Sequence, residues 1–357
     1  MSHVFVAPHP DDVALSCGGL IASLRELGQN VTILTVFSGT GATAGLTPFQ
    51  REALGFGTKA IWPASEAFNR ANVAADRPLG PSDAPYLAAP DRLEVTQAEA
   101  DASAKRFWQR ASWYRRADIR GRAGGTGASP DDVGQQGAVM TDELVAAGVA
   151  GDLMATRRLE DERFAYFAEA SIVWLDLPDA VFRGYEGEEQ LMGEPRSDDP
   201  PPVELLAREI TRLEPQRVYV PLAVGGHVDH QLVRAAGIAL LQRGLDWVMP
   251  GPDCAGVVAF YEDFPYAWWA DFSRLEDLPT GALAGIPAEV GLAPELASIG
   301  DSIDWKIQGI GLYESQIDRL FTGRRPMADA VRGFGRKVAA LGGLPGYAER
   351  YWVTARL

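Results

Sequence analysis

Residues 4–37 read VFVAPHPDDVALSCGGLIASLRELGQNVTILTVF, and this stretch decides the fold. Val4–Ala7 is a short apolar run stopped by Pro8, the pattern of a buried strand. Cys17, Leu20, Ile21, Leu24 and Leu27 then recur at spacings of 3, 1, 3 and 3, which lays them along one face of a helix. Gly28 supplies a helix stop, and Val31–Phe37 is β-branched, apolar and short enough to be a second buried strand. Strand, helix and strand in so short a span make a βαβ unit.

The same alternation returns further along. Arg157–Glu169 is a charged helical stretch leading into a strand at Ile172–Leu175. Val203, Leu206, Ile210 and Leu213 are spaced for a helix that Pro215 ends, and Arg217–Leu222 reads as a strand. A helix from about His230 to Arg243 and a strand near Ala255–Tyr261 follow. The expected fold is α/β: a Rossmann-like, mostly parallel sheet with helices on both faces.

Between about residues 40 and 155 periodicity is short-lived, and Gly, Pro, Ala, Ser and Asp are frequent. A structureless connection of that length is improbable in a compact domain, so this region is expected to be an inserted cap with helices of its own. Inside it, residues 105–122 (KRFWQRASWYRRADIRGR) hold seven basic residues and one acid, interleaved with Phe107, Trp108, Trp113 and Tyr114. Such a patch suits an anionic substrate group, a partner surface or the protein's own acidic face. Residues 186–204, rich in Glu, Asp and Pro, read as an exposed loop. The chain is expected to be one domain over 1–357, with the insertion at about 40–155 and a C-terminal extension at about 263–357.

Composition narrows the function. The 357 residues are 46% apolar and 23% charged, enough to bury a large core. Thirty-three Lys and Arg against 48 Asp and Glu give a net charge of −15, which a phosphate backbone or anionic bilayer would repel. Nucleic acid is therefore not an expected partner. No apolar run approaches the roughly 18 residues of a spanning helix, and the N-terminus lacks a secretory pattern. Two cysteines, Cys17 and Cys254, accord with a reducing compartment, so a cytoplasmic protein is expected.

Histidine is scarce, at four copies, and three of them fall in two Asp-containing clusters. Pro8-His9-Pro10-Asp11-Asp12 lies where the first strand ends and the first helix begins. Strand ends of a parallel sheet open onto the ligand crevice. Adjacent carboxylates beside a histidine repel unless a cation or shared proton relieves them, although either aspartate could instead cap the helix. Gly225-Gly226-His227-Val228-Asp229-His230 sits at another strand exit, where two histidines three apart can face one point. His9, Asp12 and His230 can thus meet around a divalent ion as two imidazoles and a carboxylate, leaving an open position for water, as in a catalytic zinc site.

The HPDD run at 9–12 with Gly18-Gly19, together with HVDH at 227–230, resembles the LmbE-like or PIG-L deacetylases, zinc enzymes that remove acyl groups from N-acylated amino sugars. More weakly, Arg157–Glu160, Leu177-Pro178-Asp179 and Tyr313-Glu314-Ser315-Gln316 share in the likeness. The resemblance implies Zn2+ held by His9, Asp12 and His230, with Asp11 as general base and His227 stabilising the tetrahedral intermediate. Asp229 is expected to orient His227, and Arg157 and Asp179 to bind sugar hydroxyls. Val13 and Val228 stand where many members carry Glu and Pro; neither position is a ligand.

The function expected is zinc-dependent removal of an acetyl or other acyl group from an N-acetylglucosamine-type amino sugar or its glycoside. The alternatives are an amidase acting on a thiol–sugar conjugate and a non-catalytic carbohydrate-binding protein on the same scaffold. A non-haem iron oxygenase shares the two-histidine, one-carboxylate set, but its β-rich barrel is opposed by the βα alternation.

Overall fold

The structure is a computed structural model that describes residues 1–41, 47–53, 142–243, 257–270, 272–279, 281–288, 290–321 and 323–356. The described residues belong to one compact unit covering Met1–Ala74 and Met140–Leu357. Most of the expected insertion, its basic aromatic segment at 105–122 and Cys254 lie outside the described residues.

Strand β1 (Ser2–Ala7) is followed by helix α1 (Asp12–Glu26) and strand β2 (Asn30–Thr35). A short helix α2 (Pro48–Ala53) comes next, and a long helix α3 (Asp142–Phe167) leads into β3 (Ser171–Trp174). Helix α3 runs without a break through residue 155, where the sequence placed the end of the insertion. Then follow α4 (Glu188–Leu191), α5 (Val203–Leu213), β4 (Arg217–Pro221), α6 (Val228–Arg243) and β5 (Val258–Tyr261). The region expected as a C-terminal extension supplies β6 (Val290–Ser298), helices α7 (Ile303–Ile310), α8 (Glu314–Phe321) and α9 (Arg324–Leu341), and β7 (Ala348–Arg356).

All these strands form one sheet in the order β3-β2-β1-β4-β5-β7-β6. Strands β1 to β5 are parallel, and β7 pairs antiparallel with both β5 and β6. The expected mostly parallel α/β sheet is what the chain forms. Its inner parallel strands carry buried apolar runs, among them Val4–Ala7, Ile33-Leu34 and Val258–Tyr261, as strands covered on both faces must, whereas the edge strand β3 is only half-buried. Connections leave β1 towards β2 and leave β4 towards β5, in opposite directions. The gap between β1 and β4 is therefore the switch point, where a crevice opens at the strand ends. Both histidine clusters leave from these two strands.

Helix α1 departs from the one-faced pattern expected of it. Leu27 is 74% exposed, whereas every residue from Asp12 to Gly19 is buried. The first half of α1 is enclosed because α7 lies against it. Lys306 Nζ of α7 pairs with Glu349 Oε1 of β7 at 2.7 Å. That carboxylate also accepts the backbone N–H groups of Gly19 and Leu20, both at 2.9 Å. The Gly18-Gly19 pair permits this approach, since a Cβ on Gly19 would lie 2.5 Å from Ile299 Cγ2. The stretch expected as an exposed loop at 186–204 is only partly so. Leu191 is buried, and Asp199 accepts from Tyr185 Oη at 2.9 Å and from Arg183 Nη2 at 2.9 Å.

Candidate metal and active site

The chain leaves β1 through Pro8-His9-Pro10 and enters α1 at Asp12, with Asp11 at φ 102°. A non-glycine residue in that conformation costs about 1–3 kcal/mol. Asp11 makes no side-chain cap to α1; its carboxylate lines a pocket instead, with Arg157 Nη2 3.7 Å from its Oδ1. The capping role that sequence left open for this residue is thus not the one it plays. At the other strand exit, Gly225 and Gly226 take φ 91° and 77°, a double left-handed turn that glycine makes without steric cost. A Cβ on Gly225 would lie 2.7 Å from the Tyr266 side chain, so the glycine also makes room for that ring.

The two exits bring His9, Asp12 and His230 together, all buried. Asp12 Oδ2 lies 3.2 Å from His9 Nδ1 and 3.4 Å from His230 Nε2. A tetrahedral ion with ligand bonds of about 2.0–2.2 Å spaces its ligand atoms roughly 3.3 Å apart, so these three atoms fit a divalent ion such as zinc. The outer ring nitrogens make the fit more specific. His9 Nε2 meets Asp229 Oδ2 at 2.8 Å, and His230 Nδ1 meets Asp263 Oδ1 at 2.6 Å. Each carboxylate takes the outer nitrogen and leaves the inner one facing Asp12, the arrangement that orients metal-binding histidines.

Electrostatics follow from burial and crowding. Burial opposes charge on His9, but hydrogen bonds to Asp12 and Asp229 outweigh it and raise its pKa to about 10. Burial likewise resists ionisation of Asp12, yet His230 and His9 lower its pKa to about 2. Asp11 goes the other way: burial raises it to about 7, opposed by Arg157 and reinforced by Asp12. Two neighbouring carboxyls with pKa values pushed apart are the pattern of an acid–base group beside a ligand. His227 is lowered to about 3, by burial and then by charge on His9. Its Nδ1 accepts the Asp229 backbone N–H at 3.2 Å, so the neutral ring carries its proton on Nε2 and is a donor.

Arg157 and Asp179 reach the same pocket. Arg157 Nη1 lies 3.6 Å from Asp179 Oδ2, and its Nη2 donates to Pro10 O at 3.2 Å. Asp179 also caps the turn Ala180–Phe182 through Val181 N at 3.1 Å. The carboxylate of Asp229 is not placed as expected. It serves His9 instead of His227, and it accepts Ala180 N at 3.1 Å and Arg183 Nη2 besides; only its backbone N–H reaches His227.

Sequence reasoning missed Asp263, Arg183, Tyr266 and Arg319, and it named Gln316 without giving it a role. Asp263 sits just past β5, the third strand exit at this edge, and that position was the signal available. Tyr266, Gln316 and Arg319 line the pocket with Met154, Leu191 and Leu320. Among the described residues no helix is long and apolar enough to cross a membrane.

Residues 4–102 match the family model described as PIG-L, GlcNAc-PI de-N-acetylase. The 2'-N-acetylparomamine deacetylase of Streptomyces fradiae is 27% identical over 370 aligned residues, which cover 99% of this chain and 89% of that protein. A 2'-N-acetylparomamine deacetylase of Niallia circulans is 28% identical over 169 residues, 42% of this chain and 54% of that one. Among solved structures, the deacetylase of the A40926 pseudoaglycone is 20% identical with a TM-score of 0.52, covering 99% of this chain and 97% of its own. A deacetylase of the teicoplanin pathway is 18% identical with a TM-score of 0.55, covering 100% of this chain and 99% of its own. The resemblance to the PIG-L deacetylases is borne out, and the described residues share the fold of these solved deacetylases.

Proposed function

We propose that this PIG-L-like chain is a zinc-dependent hydrolase that removes the acetyl group from an N-acetylated amino sugar or its glycoside. The observation that carries the reading is the pair of buried histidines, each with its outer nitrogen on a carboxylate and its inner nitrogen facing Asp12, beside the carboxyl of Asp11. The activity named for the Streptomyces relative, deacetylation of 2'-N-acetylparomamine, supports the substrate class. The cysteine usage suits a cytoplasmic enzyme meeting a small-molecule substrate.

His9, Asp12 and His230 would hold the ion, which when bound lowers the pKa of a coordinated water towards about 7 and polarises the amide carbonyl. Asp11, buried and 3.7 Å from Arg157, accepts the proton of the attacking water and delivers it to the departing amine. His227 donates Nε2–H to the oxygen that gains charge as the carbonyl is attacked, a contribution of about 3 kcal/mol to the barrier. Arg157 and Asp179, held against each other at 3.6 Å, offer a donor and an acceptor to sugar hydroxyls.

The test is release of free amine from a panel of N-acetylated amino sugars and their glycosides, by zinc-loaded protein, chelated protein and Asp11→Asn. Release that needs both the metal and Asp11 supports the reading. Zinc-bound protein that retains sugars but releases no amine from any of them would make the chain a carbohydrate-binding protein.

A further inference from the structure

Behind the site lies Arg183, whose side chain is held on every side. It follows the short turn Ala180–Phe182. Its Nη2 bonds Asp229 Oδ1 and also Asp199 Oδ2 at 2.9 Å; Nε lies 3.1 and 3.0 Å from the two oxygens of Asp199. Nη1 donates to Pro178 O at 2.6 Å. The guanidinium lies 4.4 Å from the centroid of the Phe37 ring, and that ring lies 6.2 Å from the His9 imidazole.

We propose that Arg183 is a positioning residue for metal capture: through Asp229 it fixes which nitrogen His9 offers. This inference rests on reading His9, Asp12 and His230 as metal ligands. Asp229 is a buried carboxylate whose Oδ2 takes the His9 Nε2 and the Ala180 N–H, while its Oδ1 faces Arg183. An ionised carboxylate enclosed in this way is tolerated only when a counter-charge and hydrogen bonds offset its lost hydration. Arg183 supplies that charge from the side away from the pocket. With the Asp229 carboxylate held from both sides, the His9 ring keeps Nε2 against it and Nδ1 facing Asp12, the atom that would take the metal. A lysine could supply the charge but not the planar fork that joins Asp229 to Asp199. Asp199, tied to Tyr185 Oη at 2.9 Å, anchors this chain of contacts in the segment between α4 and α5.

The measurement is the zinc dissociation constant of the full chain, by competition with a chromophoric chelator, with the visible spectrum of the Co2+ form reporting ligand geometry. Removing partners behind a ligand typically weakens binding by about 10–100-fold, which is the loss expected of Arg183→Gln. Arg183→Lys should recover part of it, and Asp199→Asn should lose affinity in the same direction by a smaller factor. Circular dichroism of the metal-free proteins verifies that each variant is folded. Arg183→Gln that binds zinc within twofold of the wild type, with an unchanged Co2+ spectrum, overturns the inference and leaves the metal reading intact. Wild type that takes up no zinc sinks both. If Arg183→Gln does not fold, Asp199→Asn decides, and unchanged affinity there overturns the inference equally.

Discussion

Asp263 Oδ1 lies 2.6 Å from His230 Nδ1, across 33 residues of chain and fully inside the protein. Its other oxygen accepts Val224 N at 2.8 Å, so one carboxylate ties the exit of β5 to the exit of β4. Asp263→Asn keeps the volume but loses the charge that holds the ring proton outward. Zinc affinity should fall about 10–100-fold, read by chelator competition, while the far-ultraviolet spectrum is unchanged.

Asp11→Asn separates chemistry from metal binding. The carboxylate is not among the three atoms that would hold the ion, so zinc affinity should stay within a few-fold of the wild type. Turnover should drop by about 10²–10⁴, the usual weight of a general base. Steady-state amine release and metal titration on the same preparation check this. A variant that loses metal in step with activity would make Asp11 a ligand.

Metal removal should act on stability as well as activity. An ion that binds only the folded site at a hundred times its dissociation constant adds about 2.7 kcal/mol. Protein dialysed against a chelator should melt at a lower temperature and release no amine, and added Zn2+ should restore both. Equal melting curves with and without metal, with activity surviving dialysis, would refute a metal-dependent enzyme.

Lys306 and Glu349 form a buried pair at 2.7 Å, and Glu349 further accepts Gly19 N, Leu20 N and Tyr351 Oη. Lys306→Met strands that carboxylate without its counter-charge. Breaking one partner of a buried pair typically costs about 3–5 kcal/mol, which urea unfolding should detect. A cost below about 1 kcal/mol would show that the hydrogen bonds alone sustain Glu349.

The βαβ units and the two histidine clusters were legible because their signals are local. Apolar runs such as Val4–Ala7 and Val31–Phe37 need no knowledge of their neighbours, and histidine is scarce enough that three of four copies at strand exits stand out. The last two strands were not legible. β6 (VGLAPELAS) carries Gly, Ala and Pro, weak strand formers that depend on a partner. β7 buries Glu349 and Arg350 beside Tyr351 and Trp352, so no alternation marks an inward face. The charges are affordable there only because Lys306 and Glu262 meet them, Arg350 Nε lying 2.7 Å from Glu262 Oε1. Asp229 was tied to the wrong histidine for a similar reason. Its nearness to His227 in sequence says nothing of whether the side chain or the backbone makes the contact.

The place of β7 inside the sheet, between β5 and β6, also bears on how the protein is born. Glu349, which fastens the backbone of Gly19 and Leu20, emerges from the ribosome 330 residues after Gly19. At about 5–20 residues per second, that is a delay on the order of tens of seconds. During it the helix that carries Asp12 lacks the clasp that Glu349 later supplies to its backbone.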